Sequence, residues 1–194
     1  MQGRVRIIAG EWRGRRIEIP DGTAVRPTPD RVRETVFNWL RDSLPGARCL
    51  DLFAGTGVLG FEALSRGAAE AWLVEQDAKL VDALRATAQT LGAAPRIVRR
   101  DALAFLREPP AARFDVVFLD PPYAAPLDPL LAVLPAWLSS RALVYVERPR
   151  SEGLPAPSSA AWVKRSHAGA VEYGLLRYEE ATMSRQSMSE AHPK

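Results

Sequence analysis

The chain has 194 residues, 47% hydrophobic and 25% charged, which are the values of one globular domain able to bury its own core. No apolar run nears the ~20 residues of a membrane span, the start MQGRVRIIAG lacks the apolar stretch of a secretory signal, and Cys49, His167 and His192 are the only Cys and His residues. A membrane partner, a metal site and a disulfide framework are therefore not expected, and a cytoplasmic protein is. The formal net charge is +3, yet residues 1–41 hold nine arginines against five acids, so the positive excess sits at one end, as on a protein that meets a polyanion.

Residues 4–9 and 15–19 are short β-branched runs around the glycine-bounded turn Gly10–Gly14 and predict a β-hairpin with a basic face. Thr28-Pro29 reads as a helix cap followed by proline at the first helical position, and Val32, Val36, Trp39 and Leu40 follow at helical spacing until Pro45-Gly46. Strands are expected over 49–54, 71–75, 96–100, 114–120 and 142–147, and helices over 58–66, 78–91 and from Asp101 to 106. Asp77 caps the long helix and Gly92 stops it; helical material over 127–138 is interrupted at Pro135. Residues 161–167 and 171–179 predict a closing hairpin, and the polar tail from Ala181 is expected to be disordered. The alternation implies an α/β fold with a doubly wound, mostly parallel seven-stranded sheet. An N-terminal hairpin and helix over 1–43 would precede a main domain over 44–180, with a tail over 181–194. Ligands bind such sheets at the carboxyl ends of the strands, so the loops after residues 53, 75, 100 and 120 share the informative edge.

The first of these loops begins Asp51-Leu52-Phe53-Ala54-Gly55-Thr56-Gly57 and runs to Gly60. Gly55 and Gly57 allow a tight turn and close approach to a ligand, and the helix that opens there offers unpaired N–H donors. Glu75 lies twenty residues beyond Gly55, at the end of the next strand, where a carboxylate accepts hydrogen bonds from both ribose hydroxyls. The pattern also fits a dinucleotide fingerprint. Asp51 and Phe53 ahead of the glycines turn the reading to S-adenosylmethionine: an inward acid repels a pyrophosphate, but suits a ligand that carries an ammonium and a sulfonium. Thr56 in the loop, and Gln76 and Ala102 beside the acids that end the next strands, are expected at the same site. Asp101 serves equally as an acceptor for the adenine amine and as a helix cap.

Asp120-Pro121-Pro122-Tyr123 ends the apolar strand FDVVFLD. Methylating an exocyclic base amine requires acceptors for its N–H hydrogens, because its lone pair is otherwise delocalised into the ring. The Asp120 carboxylate and the Pro121 carbonyl supply two, the prolines fix their direction, and Tyr123 offers a face on which a flipped-out base stacks.

Together, RIIAGEWRGRRIEIP, RPTPDRVRETVFNWL, LDLFAGTGVLGFEALSRGA and the D-P-P-Y end resemble the RsmD family of bacterial 16S ribosomal RNA guanine-N2 methyltransferases, over roughly residues 4–179. The resemblance implies S-adenosylmethionine as donor and N2 of one guanine as acceptor, within the small ribosomal subunit or its precursor. It places Asp51, Gly55, Gly57, Glu75 and Asp101 on cofactor motifs, and Asp120, Pro121, Pro122 and Tyr123 on the catalytic motif. Thr28 and Arg31 fall near the cofactor, while Arg33, with Arg4, Arg6, Arg13, Arg15 and Arg16, is expected on RNA. A monomer is expected. A DNA adenine-N6 methyltransferase shares D-P-P-Y, but a target-recognition domain would not fit in this length. A nicotinamide-dependent oxidoreductase has no use for D-P-P-Y, and a non-catalytic RNA-binding assembly factor does not need Asp120 or the glycines intact.

Overall fold

The computed structural model describes residues 3–23, 28–122, 126–155 and 157–178. Strands β1 (Arg4–Arg6) and β2 (Arg16–Glu18) pair antiparallel, with Val5 opposite Ile17 and both side chains turned into the core. Helix α1 (Asp30–Trp39) follows and buries Val32, Val36 and Phe37 along one stripe. Its N-cap is Pro29, without a capping side chain, so the expected Thr28 cap is corrected. The Thr28 hydroxyl has a tertiary partner instead.

The main sheet is built from β3 (Arg48–Asp51), β4 (Glu70–Glu75), β5 (Arg96–Arg99), β6 (Phe114–Leu119), β7 (Leu138–Pro149), β8 (Ala160–Ala168) and β9 (Val171–Tyr178). Their spatial order is β5-β4-β3-β6-β7-β9-β8. Strands β3 to β7 pair in parallel; β9 pairs antiparallel with both β7 and β8. The chain lays β4 and β5 on one side of β3 and then returns to place β6 on the other. The switch point therefore lies between β3 and β6, the place where such sheets bind ligands at the strands' carboxyl ends.

The crossovers carry α2 (Val58–Ser65), α3 (Ala78–Leu91), α4 (Ala102–Leu106) and α5 (Asp128–Val133). Asp77 accepts from the amides of Lys79 and Leu80, Gly92 ends α3 at φ +67°, and Asp101 accepts from the amide of Ala104, all as expected. The helix expected over 127–138 divides into α5 and a 3-10 turn, Leu134–Trp137, because Pro135 has no N–H to continue the ladder. Strand β7 begins earlier than expected, at Leu138 beside Phe114, and a register shift then brings Leu143 opposite Val116.

Alternation along the strands divides the apolar residues between the two faces. Cys49, Val116, Phe118 and Tyr145 join a core with the hairpin, α1, α2 and α3. Leu50, Val117, Leu119 and Trp137 join the core under α4 and α5. The single thiol, on Cys49, is pushed up to about 12 by burial, then by the charges of Asp115 and Asp51.

The hairpin is hydrogen-bonded to α2 as well as packed on it. Buried Glu62 accepts from the amides of Ile8 (2.7 Å) and Ala9 (3.0 Å), and the Ser65 carbonyl accepts from the amide of Glu11 (2.8 Å). Ser65 Oγ donates to the Ala9 carbonyl and accepts from the amide of Trp12. A Cβ at Gly10, where φ is +84°, would lie 1.7 Å from the Ser65 carbonyl oxygen, so glycine alone permits this approach.

Candidate active site

Two carboxylates flank the switch point. Asp51 ends β3 and is almost fully buried. Its Oδ2 accepts from the amide of Gly60 at 3.3 Å, while Oδ1 is buried without a hydrogen-bond partner. Burial pushes the Asp51 acid up to about 7, with the charge of Glu75 adding and the amides of Gly60 and Phe53 opposing. An orphaned buried carboxylate oxygen under a glycine loop is a place for a cationic group.

The loop has the expected shape. Gly55 and Gly57 adopt φ +54° and +78°, and a Cβ at Gly57 would lie 2.4 Å from Leu84 Cδ2. Glu75, half-buried at the end of β4, holds this loop: Oε2 accepts from the amide of Gly55 and Oε1 from that of Asp77, both at 2.9 Å. Phe53 is half-buried and Thr56 buried, while Gln76 and Asp101 are exposed on the same edge and Ala102 is buried beneath them. The Asp101 side chain caps α4, and Arg31 is exposed on α1.

Asp120 follows β6, with Pro121 buried and Pro122 exposed after it; Tyr123 lies outside the described residues. The Thr28 hydroxyl donates to Asp120 Oδ2 at 3.0 Å, across 92 positions of sequence. Asp120 is partly exposed, yet loss of solvent around its carboxyl raises it well above the usual carboxylate range. The Glu147 charge raises it further, the Thr28 hydroxyl opposes, and Asp51 adds a smaller push.

Glu147 is a site residue that sequence reasoning missed. It is buried in β7 at 6% exposure, and its own acid is raised by burial against the opposing Tyr145 hydroxyl. Tyr145 O–H donates to Glu147 Oε2 at 2.5 Å. Phe37, Phe118, Tyr145, Tyr173 and Trp39 form a run of ring contacts beneath these groups. The available signal was an acid closing the apolar run ALVYVE, as Asp51 and Glu75 close theirs.

The basic residues divide. Arg33 is fully buried, paired with Asp30 at 2.6 Å and Glu62 at 3.5 Å, and its Nε donates to the Thr28 carbonyl at 3.2 Å. The expectation that it meets RNA is corrected: it lies inside the core, where its charge holds α1 to α2 and supports Thr28. Arg4 pairs with Glu18, Arg6 with Asp30, and Arg15 donates to the Thr90 carbonyl, all three being exposed. Arg13 and Arg16 are exposed on the same hairpin. Among the described residues no helix is long and apolar enough to cross a membrane, and no three His, Cys, Asp or Glu cluster to hold a metal.

A family model described as "Conserved hypothetical protein 95" matches residues 5–177. The chain is 43% identical over 182 residues to ribosomal RNA small subunit methyltransferase D of Escherichia coli K12, covering 91% of each chain. It is 41% identical over 183 residues to the protein of that name in Haemophilus influenzae, covering 91% of this chain and 95% of the other. The chain belongs to the ribosomal RNA small subunit methyltransferase D family. A solved member of similar shape is the yhhF protein of Escherichia coli, with TM-score 0.85 and 42% identity, covering 92% of this chain and 99% of that one. The family's fold extends further: SMU.776, solved as a complex with SAH, has TM-score 0.68 at 14% identity, covering 90% of this chain and 55% of that one. The chain thus shares its fold with SMU.776, and the seven-stranded sheet bears out the α/β expectation.

Proposed function

We propose that this methyltransferase transfers a methyl group from S-adenosylmethionine to the exocyclic N2 of a guanine in 16S ribosomal RNA, acting on the small subunit or its precursor. The observation that carries the reading is Asp120 at the switch point, oriented by Thr28 and set beside the β3 glycine loop. The printed name of the relatives supports a ribosomal RNA substrate.

When bound, S-adenosylmethionine supplies an electrophilic methyl on a sulfonium. The orphaned Asp51 Oδ1 suits its ammonium, and Glu75, whose two oxygens each accept only one backbone N–H, has lone pairs left for ribose hydroxyls. Asp101 and Gln76 stand along the same edge for the adenine. At the acceptor, Asp120 and the Pro121 carbonyl take the hydrogens of the base amine, so that its lone pair faces the methyl. The anionic form of Asp120 is the working form, because a protonated acid would donate to that lone pair instead. Its negative charge also stabilises the positive charge that grows on the nitrogen as the bond forms. The exposed arginines of the hairpin meet phosphates.

The test is transfer of a tritiated methyl to small subunits from a strain lacking the enzyme, followed by nucleoside analysis. N2-methylguanosine in 16S RNA is the expected product. Label in N6-methyladenosine, or no label at all on subunits and precursors, would overturn the reading.

A further inference from the structure

Thr28 holds one oxygen of the partly exposed Asp120, and Tyr145 one oxygen of the buried Glu147. Strands β6 and β7 pair in parallel, with Phe118 opposite Tyr145 and Leu119 opposite Val146. Asp120 comes directly after Leu119, where β6 ends, and Glu147 is the next residue of β7; neighbouring strands lie about 4.8 Å apart. Alternation puts both on the face that carries Phe118 and Tyr145, whose rings meet at 6.3 Å. The bond from Tyr145 O–H to Glu147 Oε2 fixes Glu147 on that face, as the bond from Thr28 fixes Asp120. Among the described residues, Asp120 Oδ1 and Glu147 Oε1 accept from no protein donor. Two carboxylates, one directly after β6 and one within β7, therefore each keep an oxygen that takes no donor from the described residues.

We propose that Glu147 reads the target base: its free oxygen accepts the N1–H of guanine while Asp120 accepts from the adjoining N2 amine. This rests on the guanine-N2 reading and deepens it. Adenine, cytosine and guanine all carry an exocyclic amine. Only guanine carries a ring N–H beside that amine; adenine and cytosine present a ring nitrogen lone pair there. A carboxylate opposite a lone pair is repelled and unpaired, so the acid pair selects guanine by rejecting the other two. Burial raises both acids above the ordinary carboxylate range, and the charge of Glu147 raises Asp120 further. Glu147 thus gives the site a means of specificity on its own strands.

The probe is the small subunit reconstituted with either guanine or 2,6-diaminopurine at the target position. Diaminopurine keeps the N2 amine but turns N1 into an acceptor. The full-length wild-type enzyme is expected to prefer guanine by about 10^4-fold in kcat/KM, the scale for a site left with an unpaired polar group. Glu147→Gln offers an amide N–H to a ring acceptor, so its preference should shrink by ~100-fold or more, with S-adenosylhomocysteine affinity unchanged. A retained wild-type preference in Glu147→Gln overturns the proposal. Should that variant fail to fold, Tyr145→Phe keeps the ring and the charge but releases Glu147, and should lower the preference at least ~5-fold; an unchanged preference there overturns the proposal as well. Failure of the underlying function shows itself separately, as wild-type enzyme that forms no N2-methylguanosine on the guanine subunits.

Discussion

Asp120 is governed by neighbours that pull in opposite directions. Burial and the charges of Glu147 and Asp51 raise its acid, and the Thr28 hydroxyl lowers it. Because the anion is the working form, activity falls as pH drops through this raised value. The acid limb of kcat/KM therefore lies at higher pH than an isolated aspartate would place it. Thr28→Val removes the stabilising donor, so its limb should move to still higher pH; Thr28→Ser should return it, which a pH–rate series reads directly. Asp51 has a consequence for stability. Its folded value of about 7 lies above its value in the unfolded chain, so the folded state holds the proton more tightly. The associated stability is full below about pH 4 and is lost as pH rises through about 7, on the order of 4 kcal/mol at most. Asp51→Asn should flatten that decline and melt higher than wild type at pH 8, while binding S-adenosylhomocysteine more weakly. A melting curve for the ligand-free variant that matches wild type at pH 8 would remove this account.

At the scale of elements, the hairpin's attachment is the distinctive feature. Gly10 and Gly14 have nearly the same φ, +84° and +81°, but only Gly10 is crowded; nothing lies within 4 Å of a Cβ at Gly14. Gly14→Ala should cost only backbone strain, about 1 kcal/mol. Gly10→Ala must also push the Ser65 carbonyl away, and should cost ~2 kcal/mol more, seen as a lower urea midpoint. The elements that local patterns determine were legible: the β3 glycine loop, α3 with Asp77 and Gly92 at its ends, and β6 running into Asp120. What was not legible depended on partners distant in the chain. Thr28 read as a cap because Thr-Pro starts helices, but its hydroxyl is taken by Asp120 from another element. Arg33 read as one more positive charge, although its place between Val32 and Val36 puts it on the buried stripe of α1, where Glu62 receives it. Glu147 sits in a hydrophobic strand whose pairing with β6, unknown from sequence, gives the acid its meaning.

For the whole molecule, the basic excess near the N-terminus becomes smaller and better placed than the raw count. Arg33 is buried and Arg4, Arg6 and Arg15 already have protein partners, so among the described residues Arg13 and Arg16 are the hairpin arginines that a phosphate reaches without displacing a side-chain partner. Each phosphate contact releases counterions, so replacing both by Gln should reduce the slope of log affinity against log salt by about 1.5. Subunit binding measured across a salt series decides this, with S-adenosylhomocysteine affinity as the control. An unchanged slope would mean that the hairpin faces solvent in the complex. The hairpin, α1 and the sheet share one core, so the surface that meets RNA and the Thr28 hydroxyl at the catalytic acid belong to one packed body.

Cys49 gives that body an internal clock. It lies on β3 between β4 and β6, opposite Ala71 and Val116, and its thiol is held far from the reactive thiolate. A disulfide reagent added at pH 8 can reach it only when the centre of the sheet parts. With one thiol in the chain, the modification rate counts such openings without any engineered label. The free energy obtained from that rate should equal the global value from urea, and should rise with S-adenosylhomocysteine by the amount mass action dictates.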